Sequence, residues 1–324
     1  MAGGPFLQQP HSVLGKPQRR VAKWLRRAAR ALDPDREGGK TSPRAGAEAA
    51  RSARELAHFA DAMLQRRPYF GPVLGALQGS ARRHGYFLPA LERLAELKSG
   101  PLAILEIGSW AGASAITWAE ALAAIGREGR VTCIDTWTPY FDPAVDRDPV
   151  YATMNDAAAS GAIFQLFLHN VAAAGHADTI DHRRMPSSEL ASAFAPQSFD
   201  LVYVDGDHRY AAVASDLAAA KALLRAPAVL CGDDFELPLA AVDGPAHRTA
   251  LAGNVDFTPS PEGGASYHPG VTQAVGEAFG EVGAWDGFWG VETDGGAWRP
   301  LALDPARASL PRHIREALDR MARG

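Results

Sequence analysis

Two groups of carboxylates follow two apolar runs in the second half of the sequence. The run LVYVDGDHRY (201–210) contains Asp205 at its polar end, and the run AVLCGDDF (228–235) ends with Asp233 and Asp234. If the two runs are adjacent parallel strands, about 5 Å apart, these carboxylates meet at one edge of a sheet. Three carboxylates so close repel one another unless a cation neutralises them. Oxygen-only ligands are typical of Mg²⁺ rather than zinc, so we predict a magnesium site formed by these three aspartates.

His208 stands three residues beyond Asp205, at the predicted start of the next helix. From there an imidazole can reach a substrate hydroxyl group, and a histidine pKa near neutrality suits general-base work. We therefore predict that His208 is the catalytic base. Asp207 points the other way in an extended backbone and is predicted to be structural. In the alternative interpretation His208 caps its helix and Asp207 is solvated.

A glycine-containing turn lies earlier in the chain, at EIGSWAGAS (106–114). A strand that passes through such a turn into a helix lets the backbone approach a ligand closely at the helix N-terminus. Gly108 and Gly112 stand at the turn, but Trp110 occupies the place of the middle glycine of a dinucleotide-binding fingerprint. The pattern disfavours a nicotinamide or flavin cofactor. A P-loop is excluded, since no Gly-Lys-Ser/Thr follows.

The next apolar run ends in CIDTW (133–137) and places Asp135 about one strand and one helix after the glycine turn. In nucleoside-binding α/β folds an acid at this position accepts the hydroxyl groups of the ribose. Asp135 is therefore predicted to bind both hydroxyls of an adenosine ribose. Thr136 and Trp137 follow it, and we predict that the indole of Trp137 stacks on the adenine.

Strand-like runs alternate with helical stretches from residue 102 onward. The predicted strands are LAILEIG (102–108), RVTCIDTW (130–137), DTIDHRRM (178–185), FDLVYVDG (199–206) and AVLCGDDF (228–235). The predicted helices between and after them cover 114–126, 163–175, 211–224 and 271–282. This alternation indicates βαβ units and a parallel sheet with helices on both faces. Ligands bind such sheets at the carboxyl ends of the strands, where all the groups described above fall. Two later runs, GFWGVET (287–293) and AWRPLAL (297–303), predict a closing hairpin.

The first hundred residues have a different character. Residues 16–32 carry seven Lys/Arg and no acid, with apolar residues at helical spacing, which predicts a basic amphipathic helix. Such a helix docks on its own domain or on a partner subunit, or makes a weak contact with a membrane surface or polyanion; alternatively, the segment is a partly disordered arm. The predicted segments are a basic arm and linker (1–48, the linker at 33–48), a helical extension or lid (49–99), the main domain (100–303, with a substrate loop at 236–268) and a C-terminal helix (304–324).

The bulk composition bounds the function class. The chain has 324 residues, 47% of them hydrophobic and 22% charged, with a formal net charge of −4. This balance argues against nucleic-acid binding by the whole protein. No apolar run reaches the length of a membrane span, and no signal peptide is evident. Cys133 and Cys231 lie in apolar runs and are predicted to be buried thiols, which favours the cytoplasm.

Taken together, E-I-G-S-x-x-G-x-S, I-D-T-W, F-D-L-V-Y-V-D-G-D-H-x-Y and G-D-D-F resemble a class I S-adenosylmethionine-dependent methyltransferase. The sequence is most similar to the metal-dependent small-molecule O-methyltransferases that include the macrocin-type sugar O-methyltransferases. The resemblance covers about residues 100–240. It implies a Rossmann-like, doubly wound, mostly parallel seven-stranded sheet preceded by a helical extension.

The resemblance also implies a role for each motif. The cofactor S-adenosylmethionine would be held by Glu106, Gly108, Ser109, Gly112, Ser114, Asp135, Thr136, Trp137, Pro186, Ser187 and Asp205. Mg²⁺ would be held by Asp205, Asp233 and Asp234, with His208 as the base. The predicted acceptor is a hydroxyl group of a sugar, a glycoside or another small secondary metabolite.

Two other functions stay open. One is a metal-independent methyltransferase of the same fold, in which the carboxylates only order a loop. The other, of a different class, is a non-catalytic cofactor-binding scaffold whose basic arm carries the biology. Apolar helices near the N-terminus also predict a homo-oligomer.

Overall fold

The computed structural model of the protein describes residues 43–242, 244–260 and 266–323. The chain divides into two compact units, one ending at Leu56 and the other formed by Ala57–Gly324. None of the described helices combines the length and the apolar character of a membrane-spanning segment.

The N-terminal predictions fall partly outside this description. The basic helix predicted over 16–32 lies outside the described residues. The linker predicted over 33–48 is wrong from Pro43 onward, because helix α1 (Pro43–Leu64) begins there. Proline is favoured in the first turn of a helix, and the alanine-rich run that follows it has high helix propensity.

The elements after α1 alternate as expected. The further α-helices in the described residues are α2 (Phe87–Leu97), α3 (Ala113–Ala124), α4 (Pro149–Ala159), α5 (Ala162–Ala173), α6 (Leu190–Ala193), α7 (Tyr210–Leu223), α8 (Gly244–Ala252), α9 (Pro269–Phe279) and α10 (Arg312–Arg323). The strands are β1 (Leu102–Ile107), β2 (Gly129–Asp135), β3 (Ile180–Arg184), β4 (Phe199–Val204), β5 (Leu224–Phe235), β6 (Gly283–Trp285), β7 (Gly287–Thr293) and β8 (Arg299–Pro300). Short 3₁₀ helices cover Val73–Gly75, Ala81–Tyr86, Ser187–Glu189, Leu239–Ala241 and Pro305–Arg307.

The strands form one sheet in the order β3-β2-β1-β4-β5-β7-β6, with β8 paired to β7. Strands β1 to β5 pair in parallel, whereas β7 runs antiparallel to β5, β6 and β8. The predicted Rossmann-like, mostly parallel seven-stranded sheet is confirmed, and β8 adds a two-residue strand. The predicted closing hairpin exists only as the short pairing of β7 with β8 at Val291↔Pro300 and Glu292↔Arg299.

Both faces of the sheet are covered, as the continuous burial of β4 requires. On one face Val202 belongs to the hydrophobic core that includes Leu217 of α7 and Val275 of α9. On the opposite face Tyr203 packs 4.9 Å from the ring of Phe87 in α2, which stacks on Trp118 of α3 at 4.3 Å. Successive residues of β4 thus serve different cores, which is the period of two that a strand imposes.

Three predicted segments differ from the structure. The C-terminal helix predicted over 304–324 begins at Arg312, and it buries Ile314 and Ala317. The loop predicted over 236–268 contains helix α8, and helix α4 follows β2 where no helix was predicted. The extension predicted over 49–99 belongs, from Ala57 onward, to the same compact unit as the sheet.

Candidate active site

The glycine turn after β1 is shaped by a close backbone contact. Gly108 has a left-handed backbone with φ 85°, and a Cβ atom there would lie 2.0 Å from the carbonyl oxygen of Asp205. The amide of Asp205 donates to the carbonyl of Ile107 at 2.8 Å. Only glycine satisfies both the conformation and the contact. The turn after β1 therefore lies directly against the end of β4.

Asp135, at the end of β2, fastens this turn from its other side. Its carboxylate accepts from the amides of Ser109 at 3.1 Å, Trp110 at 2.9 Å and Trp137 at 2.6 Å. Burial raises the pKa of Asp135, and the three amide donors oppose that shift. A carboxylate has about four acceptor positions, so about one remains for a ligand. The prediction that Asp135 accepts both ribose hydroxyls is too generous for this arrangement.

Trp137 is not part of the wall of the cavity described below. Its indole is completely buried and packs on Phe164 and Phe167 of α5, with ring centroids 4.8 and 4.9 Å away. The indole nitrogen donates to the carbonyl of Trp110 at 2.8 Å. Its left-handed backbone, φ 47°, accompanies this inward orientation. The predicted adenine stacking is therefore wrong, and Trp137 supports the turn from behind.

Glu106 and Gly112 also support the turn and do not line the cavity. Glu106 is fully buried and accepts from the hydroxyl of Ser114 and, at 3.4 Å, from the thiol of Cys133. Burial raises the pKa of Glu106 to about 8, against which these two donors act only partly. Gly112, with φ 86°, precedes the first turn of α3. Glu106 and Gly112, which were predicted to contact the cofactor, thus lie behind the cavity wall.

One cavity of about 1000 Å³ joins the glycine turn to the carboxylates. Pockets for single small molecules measure about 300–1,000 Å³, so the volume accommodates a nucleoside cofactor beside an acceptor. The predicted cofactor residues on its wall are Gly108, Ser109, Ser114, Asp135, Thr136, Pro186, Ser187 and Asp205. The structure thus brings most of the predicted cofactor residues to one surface.

The three predicted metal ligands converge at the end of β4 and β5. Asp205, Asp233 and Asp234 each offer an oxygen within 4.8 Å of the other two. Burial and mutual repulsion raise the pKa of Asp205 and Asp233, although nearby cations oppose the shift. Asp234 has a left-handed backbone, φ 64°, which turns its side chain relative to that of Asp233. The donor set and its excess negative charge fit a hard divalent cation.

Arg83 is a charged partner of this cluster that the sequence did not reveal. It lies in the 3₁₀ helix Ala81–Tyr86, and its Nη1 is 2.5 Å from Oδ2 of Asp233. Its Nη2 is 3.9 Å from Oδ2 of Asp205. These carboxylates raise the pKa of Arg83 even though burial lowers it. No local motif marks Arg83, because it comes from a segment more than a hundred residues before the carboxylates.

His208 lies between two carboxylates. Its Nε2 is 2.9 Å from Oδ2 of Asp234, and its Nδ1 is 3.2 Å from Oδ1 of Asp256. Burial alone would lower the pKa of His208, but Asp234 and Asp256 together raise it well above the ordinary value. With the protein groups alone, the pKa of His208 is therefore higher than the near-neutral value expected from the sequence.

Asp256 is the second residue that the sequence did not reveal. It is buried, and its other oxygen accepts from the hydroxyl of Tyr151 in α4 at 2.7 Å. Burial would raise the pKa of Asp256, but His208 lowers it to about 2. The residue lies within the predicted substrate loop, where the resemblance to known enzymes ends.

His268 completes the charged cluster. Its Nδ1 is 3.0 Å from Oε1 of Glu236 and 3.7 Å from Oδ1 of Asp234. Burial lowers the pKa of His268, but Asp234 and Glu236 raise it overall. Among the described residues, His208, Asp234 and His268 form a second group whose geometry suits a metal ion.

Asp207 lines the cavity and pairs with a neighbouring arginine. Asp207 accepts from the guanidinium of Arg209 at 3.0 Å, and Arg209 also binds Asp146 at 2.5 Å. This pairing agrees with the structural role predicted for Asp207.

Three rather exposed apolar side chains line the cavity, namely Tyr140 (39% exposed), Val145 (37%) and Phe257 (45%).

Part of the chain resembles a known protein family. Residues 105–235 match the family model described as a methyltransferase domain. No curated protein matches the chain. The chain is similar to cofactor-bound Rv0187 from MTB, with 20% identity over 78% of this chain and 97% of that one and a TM-score of 0.39. It is also similar to the O-methyltransferase from Bacillus cereus in complex with SAH, with 18% identity over 84% and 100% of the chains and a TM-score of 0.39. A third similar structure is apo CalS11, a TDP-rhamnose 3'-O-methyltransferase of calicheamicin biosynthesis, with 12% identity over 87% and 96% and a TM-score of 0.36. The family-model match indicates a methyltransferase domain over residues 105–235, from β1 to the end of β5.

Proposed function

We propose that the protein is an S-adenosylmethionine-dependent, Mg²⁺-dependent O-methyltransferase that acts on a hydroxyl group of a sugar, a glycoside or another small metabolite. One observation carries this proposal. Three carboxylates from two adjacent strand ends and His208 face the same cavity as the glycine turn. Cofactor and acceptor can therefore meet within one cavity, which is the main requirement of a transfer between two bound molecules.

The cofactor side would be formed by the turn after β1 and by Asp135. The closely packed Gly108 leaves the backbone of the turn open to the cavity, and Pro186 and Ser187 lie on the same wall. Asp135 retains about one acceptor position, enough for one ribose hydroxyl. S-adenosylmethionine supplies an electrophilic methyl group bonded to a sulfonium sulfur.

The acceptor side would be formed by Asp205, Asp233 and Asp234, which would hold Mg²⁺. A bound Mg²⁺ lowers the pKa of a hydroxyl group and stabilises the developing negative charge on its oxygen. His208 must be neutral to accept the hydroxyl proton, and its pKa is high because Asp234 and Asp256 flank it. A cation beside Asp234 offsets part of that negative charge, so metal binding and the base function of His208 support each other.

The acceptor pocket combines polar and apolar surface. Tyr140, Val145 and Phe257 offer partly exposed apolar area at the cavity wall, close to the carboxylate cluster. Such a wall suits a ring that is apolar on its faces and carries hydroxyl groups at its edge. This supports a glycoside or a ring-bearing secondary metabolite as the acceptor class.

The test is methyl transfer from labelled S-adenosylmethionine to a panel of glycosides, phenols and catechols, with and without EDTA. We expect activity on at least one hydroxylated ring, loss of that activity in EDTA and recovery with excess Mg²⁺. Full activity in EDTA would contradict the metal requirement but not methyl transfer. Binding of S-adenosylhomocysteine by calorimetry serves as the control, because it should survive chelation. A failure to bind that product would contradict the cofactor assignment.

A second candidate is a methyltransferase of the same fold that works without metal. The observation in its favour is the guanidinium of Arg83, which already lies 2.5 Å from Asp233. In that case Arg83 would be the cation that neutralises the carboxylates, and the reaction would be insensitive to chelators. The EDTA experiment separates the two candidates.

The scaffold hypothesis, the homo-oligomer and the cytoplasmic location stay predictions. Deleting residues 1–48 tests the first of them. Lost localisation, in a protein for which no methyl transfer can be assayed, would favour a scaffold over an enzyme.

A further inference from the structure

We propose that Arg83 is a built-in counter-ion of the acidic cluster that competes with a divalent cation for Asp233 and Asp205. The inference rests on the metal site of the proposed function. It concerns the role of a residue that belongs to the segment before the sheet rather than to any strand end.

The contacts of Arg83 define this role. Its side chain is about nine-tenths buried, and its two terminal nitrogens address Asp233 of β5 at 2.5 Å and Asp205 beyond β4 at 3.9 Å. The planar fork of a guanidinium can reach two carboxylates on neighbouring strands, which a single ammonium group does less well. Arg83 thus bridges two of the three predicted metal ligands.

The positive charge of Arg83 is present at every physiological pH, so Arg83 always competes with a cation. A guanidinium is protonated at every physiological pH, so Arg83 always contributes one positive charge beside the cluster. A dication held by the same carboxylates would lie a few ångströms from that charge. Like charges at this distance repel more strongly inside a protein than in water, and a dication doubles the repulsion between two unit charges. A metal bound to Oδ2 of Asp233 would have to displace the guanidinium from that oxygen.

The backbone just before Arg83 lies directly against the guanidinium group. Gly79 has a left-handed backbone, φ 64°, and a Cβ atom there would lie 2.0 Å from Nη1 of Arg83. The neighbouring Gln78, Gly79 and Ser80 line the cavity together with Arg83. Displacement of the guanidinium by a metal would consequently change the part of the cavity wall that these residues form.

The experiment is Mn²⁺ binding to the full-length protein, followed by the electron paramagnetic resonance signal of free Mn²⁺. We expect Arg83→Met to bind Mn²⁺ about tenfold or more tighter than the unmodified protein, and Arg83→Lys to lie between the two. Arg82→Met is the matched control, because Arg82 carries the same charge one residue away but its side chain is 79% exposed. Its affinity should stay within about threefold, since solvent screens an exposed charge.

Every outcome is informative. Equal or weaker Mn²⁺ binding by Arg83→Met overturns the competition while leaving the metal site intact. No binding by either protein overturns the competition and the metal part of the proposed function together. Binding by Arg83→Met alone supports Arg83 as the cation that has replaced the metal. Calorimetric binding of S-adenosylhomocysteine reports whether each variant is folded, and Arg83→Gln replaces Arg83→Met if the latter does not fold.

Discussion

The two sides of the cavity are built by different means. The cofactor side consists of backbone held in special conformations, with Gly108 and Asp135 fastening one turn and Glu106 and Trp137 buried behind it. The acidic side consists of charged side chains from separate segments, held mainly by one another. Backbone conformation and packing hold the cofactor side in place, whereas attraction between opposite charges holds the acidic side. Substitutions on the two sides should therefore fail in different ways.

The largest effect is expected for Asp234→Asn on the acidic side. The substitution removes a predicted metal ligand and the main partner of His208, 2.9 Å away. Lost stabilisation of several kcal/mol in the transition state corresponds to about a thousandfold lower kcat. Steady-state assays measure this loss, and calorimetry should show unchanged affinity for S-adenosylhomocysteine. A parallel loss of cofactor affinity would show that the two sides are not separable.

Glu106→Gln tests the buried acid behind the cofactor side. Burial raises the folded-state pKa of Glu106 to about 8, above its ordinary value of 4.5. The folded protein then binds more protons than the unfolded chain between these values, so this carboxyl makes stability fall as pH rises through that window. The variant should lack this fall, which amounts to at most about 5 kcal/mol at 1.36 kcal/mol per pKa unit.

Denaturant unfolding at pH 5 and pH 8 measures the difference. The stability of Glu106→Gln relative to the unmodified protein should increase between the two pH values. The same stability difference at both would mean that Glu106 is ionised in the folded state.

Gly108→Ala tests the backbone contact itself. The added Cβ atom would meet the carbonyl oxygen of Asp205 at 2.0 Å in a left-handed conformation. We expect a loss of at least about 2 kcal/mol in the free energy of unfolding, beyond the 1–2 kcal/mol of the conformation alone. Gly126→Ala is the matched control, because Gly126 is left-handed, φ 65°, but has nothing within 4 Å of its Cβ position. Similar losses for both variants would contradict the steric argument.

Asp256→Asn separates positioning from ligation on the acidic side. Asp256 contacts Nδ1 of His208 but does not belong to the three-carboxylate group. We expect about a tenfold lower kcat, or about 1.4 kcal/mol, with little change in Mn²⁺ affinity or in the acceptor KM. Tyr151→Phe, which removes only the hydroxyl that donates to Asp256, should have a smaller effect. A large loss of metal affinity in Asp256→Asn would assign the residue to the metal site instead.

The smallest effect on ligand binding is expected for Trp137→Phe. The variant loses the hydrogen bond to the carbonyl of Trp110, which costs about 1 kcal/mol of stability. The affinity for S-adenosylhomocysteine should change less than threefold, because the ring does not line the cavity. A tenfold loss of affinity at unchanged stability would restore the adenine-stacking role predicted from the sequence.

The local sequence pattern was sufficient to predict most of the sheet and the position of the carboxylates. The five parallel strands were predicted within a few residues, because alternating runs of strand and helical character are visible in any short window. Asp205, Asp233 and Asp234 could be brought together because parallel strands end at one sheet edge. Helix α8 was not foreseen, since a short, polar helix carries little periodic signal.

The side chains that contact the carboxylates and His208 could not be predicted from the sequence, for a physical reason. Arg83 and Asp256 each lie in a segment without a recognisable motif, and each reaches the site only because the chain folds back to the strand ends. Trp137 was misassigned because sequence spacing does not reveal which way a left-handed residue turns its ring. The pKa of His208 depends on two carboxylates, and one of them was unknown from the sequence.

By itself, then, the sequence determined the sheet, the glycine turn and the line of carboxylates at the strand ends. These features follow from periodicity, from the conformational freedom of glycine and from the parallel arrangement of strands. Only the tertiary structure decided which charges surround His208, that Arg83 shares Asp233, and that Trp137 supports the turn instead of a ligand. The strength of an interaction between two charges depends on the distance between them. A local sequence pattern does not determine the distance between residues in remote segments of the chain.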